Sequence, residues 1–149
     1  MEKILLISSS GGHWVQMNRL LPALKGHDLY YACTEKSYCQ HVPDGRFFHV
    51  VEASQTDKFK LVLQAFTVLS VLLRLRPTVI LTTGAAPGFF ALLFGKRLGA
   101  RTIWLDSIAN VNELSLAGKK TAKHADLYMT QWEHLADSER GPEFCGTVI

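Results

Sequence analysis

Lys3-Ile4-Leu5-Leu6-Ile7-Ser8-Ser9-Ser10-Gly11-Gly12-His13-Trp14 decides the architecture of this chain. A short apolar run bounded by small polar residues reads as a strand buried on both faces, as in a parallel sheet. Three serines and two glycines end the run, and an amphipathic segment follows at once. Strand, small-residue loop and helix in that order present backbone N–H groups and a helix N-terminus, an arrangement that receives anions. A purely structural tight turn is the other reading of the same residues. His13 adds a titratable group at the point where loop becomes helix.

Working outward, the strand–helix alternation repeats along the chain. Trp14, Val15, Met17, Leu20, Leu21 and Leu24 fall at helical spacing, with Pro22 predicting a kink and Gly26 a stop. Further strands are expected over Asp28–Cys33, Arg46–Val51, Thr78–Thr83, Arg101–Leu105 and Ala125–Thr130. Helices are expected over Phe59–Leu75 and Phe89–Leu98, with a short helical stretch before Ala125. Cys39–Gly45 and Ala53–Lys58 read as loops, and Gly84–Gly88 as a second small-residue loop. The tail from Gly141 begins with turn residues and ends apolar at Ile149. The pattern predicts an α/β fold with a doubly wound, mostly parallel, Rossmann-like sheet and right-handed crossovers. Ligands then bind outside the carboxyl ends of the strands, where Ser8–His13, Thr34–Lys36, Thr83–Gly88, Asp106–Asn110 and Gln131–Glu133 lie.

The 149 residues fit one domain, 1–149. A formal charge of +3 is too mild for a nucleic-acid binder but suits an anionic substrate or a membrane surface. Three cysteines without CxxC spacing exclude a disulfide framework and fit a reducing cytosolic compartment. The chain leads directly into a strand without a cleavable leader. Leu61–Leu73 is too short to span a bilayer, and Gln64, Thr67 and Ser70 put a polar stripe along it. That segment is expected to pack on the sheet rather than lie in a membrane interface.

The loop spacings exclude the common nucleotide and hydrolase motifs. Ser9-Ser10-Gly11-Gly12-His13 is neither a Walker A sequence nor the G-x-G-x-x-G dinucleotide fingerprint, and the chain holds no G-x-S-x-G. The six histidines form no i, i+4 pair, so no metal site and no cofactor are expected.

Four segments occur in a recognisable order: Ser8–His13, Thr83–Gly88, Trp104-Leu105-Asp106-Ser107 running to Leu114–Lys119, and Ala125–Trp132. Together they resemble the family of the membrane-recruiting subunit of the dolichol-pathway N-acetylglucosaminyltransferase, with its bacterial capsule and exopolysaccharide relatives. The Gly-Gly-His and Gly84–Gly88 loops are more distantly similar to the acceptor half of the enzyme that adds N-acetylglucosamine to lipid I. The resemblance implies the N-terminal, acceptor-binding half of a GT-B glycosyltransferase. A second chain would then supply the nucleotide-sugar half, and the acceptor would be a polyprenyl-diphosphate-linked sugar in capsule or exopolysaccharide synthesis. It also implies a cytoplasmic protein, peripheral at the inner face of the cell membrane. Eukaryotic relatives begin with a hydrophobic anchor, and the sequence starting at Met1-Glu2-Lys3 predicts none here.

On that footing Ser9, Ser10, Gly11 and Gly12 are expected to receive the acceptor diphosphate. Gly84, Ala85 and Gly88 would let the backbone approach the acceptor, or would simply form a tight turn. His13 has three open roles: general base, phosphate donor or structural cap. Asp106, at the end of an apolar strand, could orient His13, bind the sugar, or cap the next segment through Ser107. Relatives often carry glutamate at that place. Asn110 and Glu113 are further acceptor-contact candidates. Two other readings stand beside this one: a non-catalytic recruiting partner with all chemistry on the other chain, and a stand-alone nucleotide- or phosphate-binding domain.

Overall fold

The computed structural model describes Met1–Val148; Ile149, the last residue of the apolar tail, lies outside the described residues. Seven strands form one sheet: β1 (Lys3–Ser8), β2 (Asp28–Cys33), β3 (Phe47–His49), β4 (Val79–Thr82), β5 (Arg101–Leu105), β6 (Leu127–Thr130) and β7 (Glu143–Phe144). Their order is β3-β2-β1-β4-β5-β6-β7, and every neighbouring pair is parallel. The chain winds outward from β1 through β2 to β3, then returns to the other side of β1 and winds away through β4. The switch point therefore falls between β1 and β4, and crevices at such points receive ligands in doubly wound sheets.

Both faces of the sheet are covered, which is why the central strands read as unbroken apolar runs. Leu5, Ile7, Ile80 and Trp104 face one layer, built by α2 (Lys58–Leu75), α3 (Ala85–Arg97) and α4 (Leu116–Thr121). Ile4, Leu6, Val79 and Leu81 face the other, where α1 (Gly12–Arg19) lays down Trp14 and Met17. Because the strands are parallel, each crossover helix starts at the strands' carboxyl edge. The N-termini of α1 and α3, which follow β1 and β4, consequently flank the switch-point crevice.

Several boundaries differ from expectation for local reasons. The first helix stops at Arg19, and Leu21–Leu24 forms a separate 3₁₀ turn carrying Pro22 in its first turn, where no N–H is needed. Within the expected loop Cys39–Gly45, the first three residues belong to a 3₁₀ turn over Lys36–His41, capped by Glu35 accepting from the Ser37 N–H at 3.2 Å. The third strand narrows to three residues. The second small-residue loop is shorter than expected: α3 begins at Ala85, so Ala85–Gly88 is its first turn and Pro87 sits where it disrupts nothing. A seventh strand, absent from the sequence reading, is only two residues long and offers no alternating pattern to read.

Two residues of the polar stripe of α2, Gln64 and Thr67, are turned inward, while Ser70 is exposed. Gln64 is 1% exposed and donates through Nε2 to the Val51 carbonyl at 2.9 Å. The Thr67 hydroxyl accepts from the Val51 N–H at 3.3 Å. These two residues pin the β3–α2 connection, while Val68, Val71, Leu72 and Leu75 pack on the sheet. Phe59, Val62 and Phe66 are left on the solvent side.

Candidate functional site

The β1–α1 loop turns through Gly11, whose φ of +78° lies in the left-handed region that favours glycine. The first intrahelical bond of α1 runs from the Val15 N–H to the Gly11 carbonyl at 3.1 Å, and no side chain caps the helix. The Gly12 and His13 N–H groups thus have no intrahelical acceptor. A Cβ at Gly11 or Gly12 would meet nothing within 4 Å, so the loop stands open. Its Gly11 N–H is already engaged, donating to the Tyr38 hydroxyl at 3.2 Å. The Tyr38 ring stacks on Trp14 with centroids 4.9 Å apart. Tyr38 comes from 27 residues away, and no local signal in the sequence marks it.

His13 joins this loop to the one across the switch point. Its Nδ1 lies 2.9 Å from the Thr83 carbonyl, and the Thr83 hydroxyl donates back to the His13 carbonyl at 2.6 Å. A carbonyl only accepts, so Nδ1 carries the proton and Nε2 presents a lone pair in the neutral ring. The imidazole lies against Gly84: a Cβ there would come within 2.8 Å of His13 Cε1, at a φ of +135° that side chains rarely adopt. Gly84 is thus required by the histidine. Gly88 has a different reason, since its missing Cβ faces Thr82 Oγ1 at 2.3 Å and lets α3 close onto β4. Ala85 adopts a left-handed φ of +67° as the helix begins.

Asp106 is 1% exposed and is the hub of its own connection. Oδ1 accepts from Trp104 Nε1 at 3.0 Å and the Ser115 hydroxyl at 2.5 Å; Oδ2 accepts from the Ser115 N–H at 3.0 Å and Asn110 Nδ2 at 3.3 Å. Each oxygen of this buried side chain thus keeps two hydrogen-bond donors in place of water. Ser115 in turn caps α4, accepting from the Gly118 N–H at 2.9 Å. The group that orients His13 is therefore the Thr83 carbonyl, and the segment after β5 is held at two points: Ser115 on the Asp106 carboxylate, and the Ser107 hydroxyl, which accepts from the Ala109 N–H at 3.1 Å. Burial, and secondarily the Asp106 charge, push the nearby Tyr128 hydroxyl well above the usual tyrosine range.

A buried amide network ties the two regions together. Gln16 of α1 donates to the Ser107 hydroxyl at 3.2 Å and accepts from the Ile108 N–H at 3.1 Å and from Gln131 Nε2 at 2.6 Å. Gln131, from the last of the carboxyl-edge loops, is fully buried, and its Oε1 accepts from the Val148 N–H at 2.8 Å. Among the proposed contacts, the structure brings His13 and Gly84 into direct contact and links their loop to Ser107 through Gln16. Ser9 and Ser10 lie half-buried along the β1–α1 loop. Asn110 is spent on Asp106, and Glu113 points outward to pair with Lys119 at 3.2 Å. Among the described residues no three His, Cys, Asp or Glu side chains cluster as metal ligands.

A parallel sheet with this order, and paired loops at the β1/β4 switch point, is the architecture of the N-terminal half of a GT-B enzyme. Solved structures bear out the fold: MurG of Acinetobacter baumannii superposes with a TM-score of 0.74 at 11% identity, over 96% of this chain and 47% of that one. UDP-N-acetylglucosamine 2-epimerase of Rickettsia bellii gives 0.68 at 15% identity, over 90% of this chain and 40% of that one. The family model described as "Oligosaccharide biosynthesis protein Alg14 like" matches residues 31–148. The chain belongs to the Alg14 family. The matched residues include Gly84 and Asp106 but begin after the Ser8–His13 loop.

Curated relatives agree. UDP-N-acetylglucosamine transferase subunit ALG14 of Candida albicans is 34% identical over 84 residues, 52% of this chain and 38% of that protein. The corresponding subunit of Schizosaccharomyces pombe is 35% identical over 77 residues, 48% of this chain and 37% of that protein. The match thus spans well under half the length of these relatives.

Proposed function

We propose that this chain is the acceptor-binding, membrane-recruiting subunit of a two-component UDP-sugar-dependent glycosyltransferase. Its acceptor is a polyprenyl-diphosphate-linked sugar, and its setting is capsule or exopolysaccharide synthesis. A second chain provides the nucleotide-sugar half, and the assembly works peripherally on the cytoplasmic face of the cell membrane. One observation carries the reading: in a chain of the Alg14 family with the fold of a GT-B N-terminal half, His13 is locked across the switch-point crevice by Thr83.

In this reading the Gly12 and His13 N–H groups, with the Ser9 and Ser10 hydroxyls, receive the diphosphate at the positive end of α1. Gly84 and Ala85 form the opposite wall, and Gly88 sets the depth of α3 behind it. The acceptor hydroxyl attacks the anomeric carbon of the donor sugar, and the bond to the UDP oxygen breaks with UDP taking the electron pair. His13 Nε2 takes the hydroxyl proton, and the Thr83 carbonyl stabilises the resulting imidazolium through Nδ1–H. Asp106 acts as a positioning residue for the loop that carries Asn110, with no contact to the sugar.

The test is co-expression with the partner chain, followed by transfer from a UDP-sugar to a short polyprenyl-diphosphate-linked acceptor. His13→Ala is expected to retain the complex and lose about 10²–10⁴-fold in turnover, the span of general-base contributions. Unchanged turnover in that variant would instead establish the recruiting role with all bond-making on the partner. The commitment of Asp106 to its own loop is what keeps that second reading in view.

A further inference from the structure

The layer formed by α2, α3 and α4, with the turn Ala122–His124 that follows, has an unusual charge distribution. These four segments carry eight of the chain's sixteen Lys and Arg residues and none of its thirteen Asp and Glu residues. Lys96 is paired with Asp126 and Lys119 with Glu113. Among the described residues Lys58, Lys60, Arg74, Arg97, Lys120 and Lys123 form no ion pair. The Asp57 carboxylate that precedes α2 turns back to cap it, accepting from the Lys60 N–H at 3.1 Å.

The same layer exposes apolar side chains in register. Phe59, Val62, Phe66, Leu69 and Leu73 recur at alternating steps of three and four, one face of a helix. Phe59 is 74% and Phe66 66% exposed. Val62, Phe66 and Leu69 continue into an apolar groove shared with Phe90 and Phe94 of α3. On the other flank of α3, Phe89 and Leu93 floor a shallow basin rimmed by Arg97, Lys120, Lys123 and His124. Burial, together with the charges of Lys123 and Arg97, holds His124 below the usual histidine range, as expected beside concentrated positive charge.

We infer that the α2–α3–α4 face docks in-plane on a bilayer of anionic phospholipids, inserting Phe59, Val62 and Phe66 while its cations meet the headgroup phosphates. Charge complementarity selects the occupant. An acidic bilayer accepts an apolar stripe between basic flanks, and the helices of this layer carry no acid of their own; the bordering Asp126 and Glu113 are paired with Lys96 and Lys119. The layer is also continuous with the crevice, because α2 and α3 begin at the strands' carboxyl edge. A lipid-linked acceptor would therefore reach the Gly84 wall from the same surface. Among the described residues no helix is long and apolar enough to cross a membrane, so attachment through this face is in-plane. The inference deepens the peripheral attachment proposed above and rests on it.

Flotation of the purified chain, without partner, donor or acceptor, tests it. Vesicles of phosphatidylglycerol in phosphatidylcholine are compared with phosphatidylcholine alone. Binding is expected on the anionic vesicles, weakened by salt, and at least tenfold lower on the neutral ones. Phe59→Ser with Phe66→Ser is expected to cost about a hundredfold, since each inserted phenylalanine contributes on the order of tenfold. Lys120→Glu with Lys123→Glu is expected to cost tenfold or more. Both pairs lie on exposed positions, and circular dichroism verifies that they fold. Absence of binding to anionic vesicles overturns the inference, as does wild-type binding by both variants. A dimer that becomes monomer in the phenylalanine variant, with vesicle binding unchanged, also overturns it and assigns the face to a second copy. Transfer to a detergent-solubilised short-chain acceptor is expected to be unaffected by Phe59→Ser and Phe66→Ser, so failure at the membrane leaves the acceptor reading standing.

Discussion

Asp106→Ala separates a loop anchor from a catalytic carboxylate. Removing the carboxylate strands four donors: Trp104 Nε1, both the N–H and hydroxyl of Ser115, and Asn110 Nδ2. The Trp104 side chain is fully buried, and an unsatisfied buried donor costs roughly 1–3 kcal/mol. Ser115 and Asn110 are half-buried and recover part of their loss from water, adding about 2 kcal/mol between them. The α4 cap at Gly118 is loosened as well, because Ser115 loses its fixed rotamer. The expected loss is about 3–5 kcal/mol, a large share of the roughly 5–15 kcal/mol that holds a typical domain folded. Asp106→Asn is expected to lose about 2–3 kcal/mol, since its amide turns a donor toward donors. Urea unfolding followed by circular dichroism measures both, and a lowered midpoint at unchanged slope identifies a stability effect. A loss below about 1 kcal/mol in Asp106→Ala, with sugar transfer abolished, would refute the anchoring role and return the carboxylate to the reaction.

Three further outcomes are expected. Gly84→Ala should cost roughly 1–3 kcal/mol from its positive φ, and should push the imidazole off the Thr83 carbonyl; loss of a slowly exchanging His13 Nδ1–H signal by NMR reports the displacement. Tyr38→Phe frees the Gly11 N–H, so the acceptor KM should fall by up to about tenfold, one hydrogen bond's worth, with stability nearly unchanged; a raised KM would show that the hydroxyl helps to hold the diphosphate. Lys96, followed by the Thr102 N–H, holds the Asp126 carboxyl below its ordinary value of 3.8. Its contribution is therefore full above that value and lost as pH falls through the depressed one. Because the pair is over a third exposed, Asp126→Asn should cost no more than about 1 kcal/mol at neutral pH and nothing at low pH, as paired denaturation curves would show.

The sheet was legible because parallel strands buried on both faces leave unbroken apolar runs, as Ile4–Ile7 and Val79–Leu81 do. The loops at its carboxyl edge were legible because turns at helix starts demand small residues. The packing of α2 on the sheet was legible, but the partners of its polar residues were not. Gln64 and Thr67 look solvent-directed by period alone, yet their partner is the Val51 backbone more than ten residues earlier. Partners of the site residues escaped in the same way: Tyr38 reaches Gly11 from another crossover, and Gln131 meets Gln16 across 115 residues. Asp106 stood out as a costly carboxylate, but its donors at Asn110 and Ser115 follow from how the loop folds back.

The doubled bond between His13 and Thr83 has a mechanical consequence. Two connections that flank the crevice are fastened to each other, each lending the other a donor and an acceptor. Neither can swing while the other stays, so the crevice has a stiff rim rather than a jaw. The segment over Lys36–His41 braces that rim from outside, through the Tyr38 hydroxyl and the Tyr38 ring on Trp14. If the proposed two-chain enzyme closes around its acceptor, the hinge would lie between the chains, with the histidine clasp as its fixed jamb.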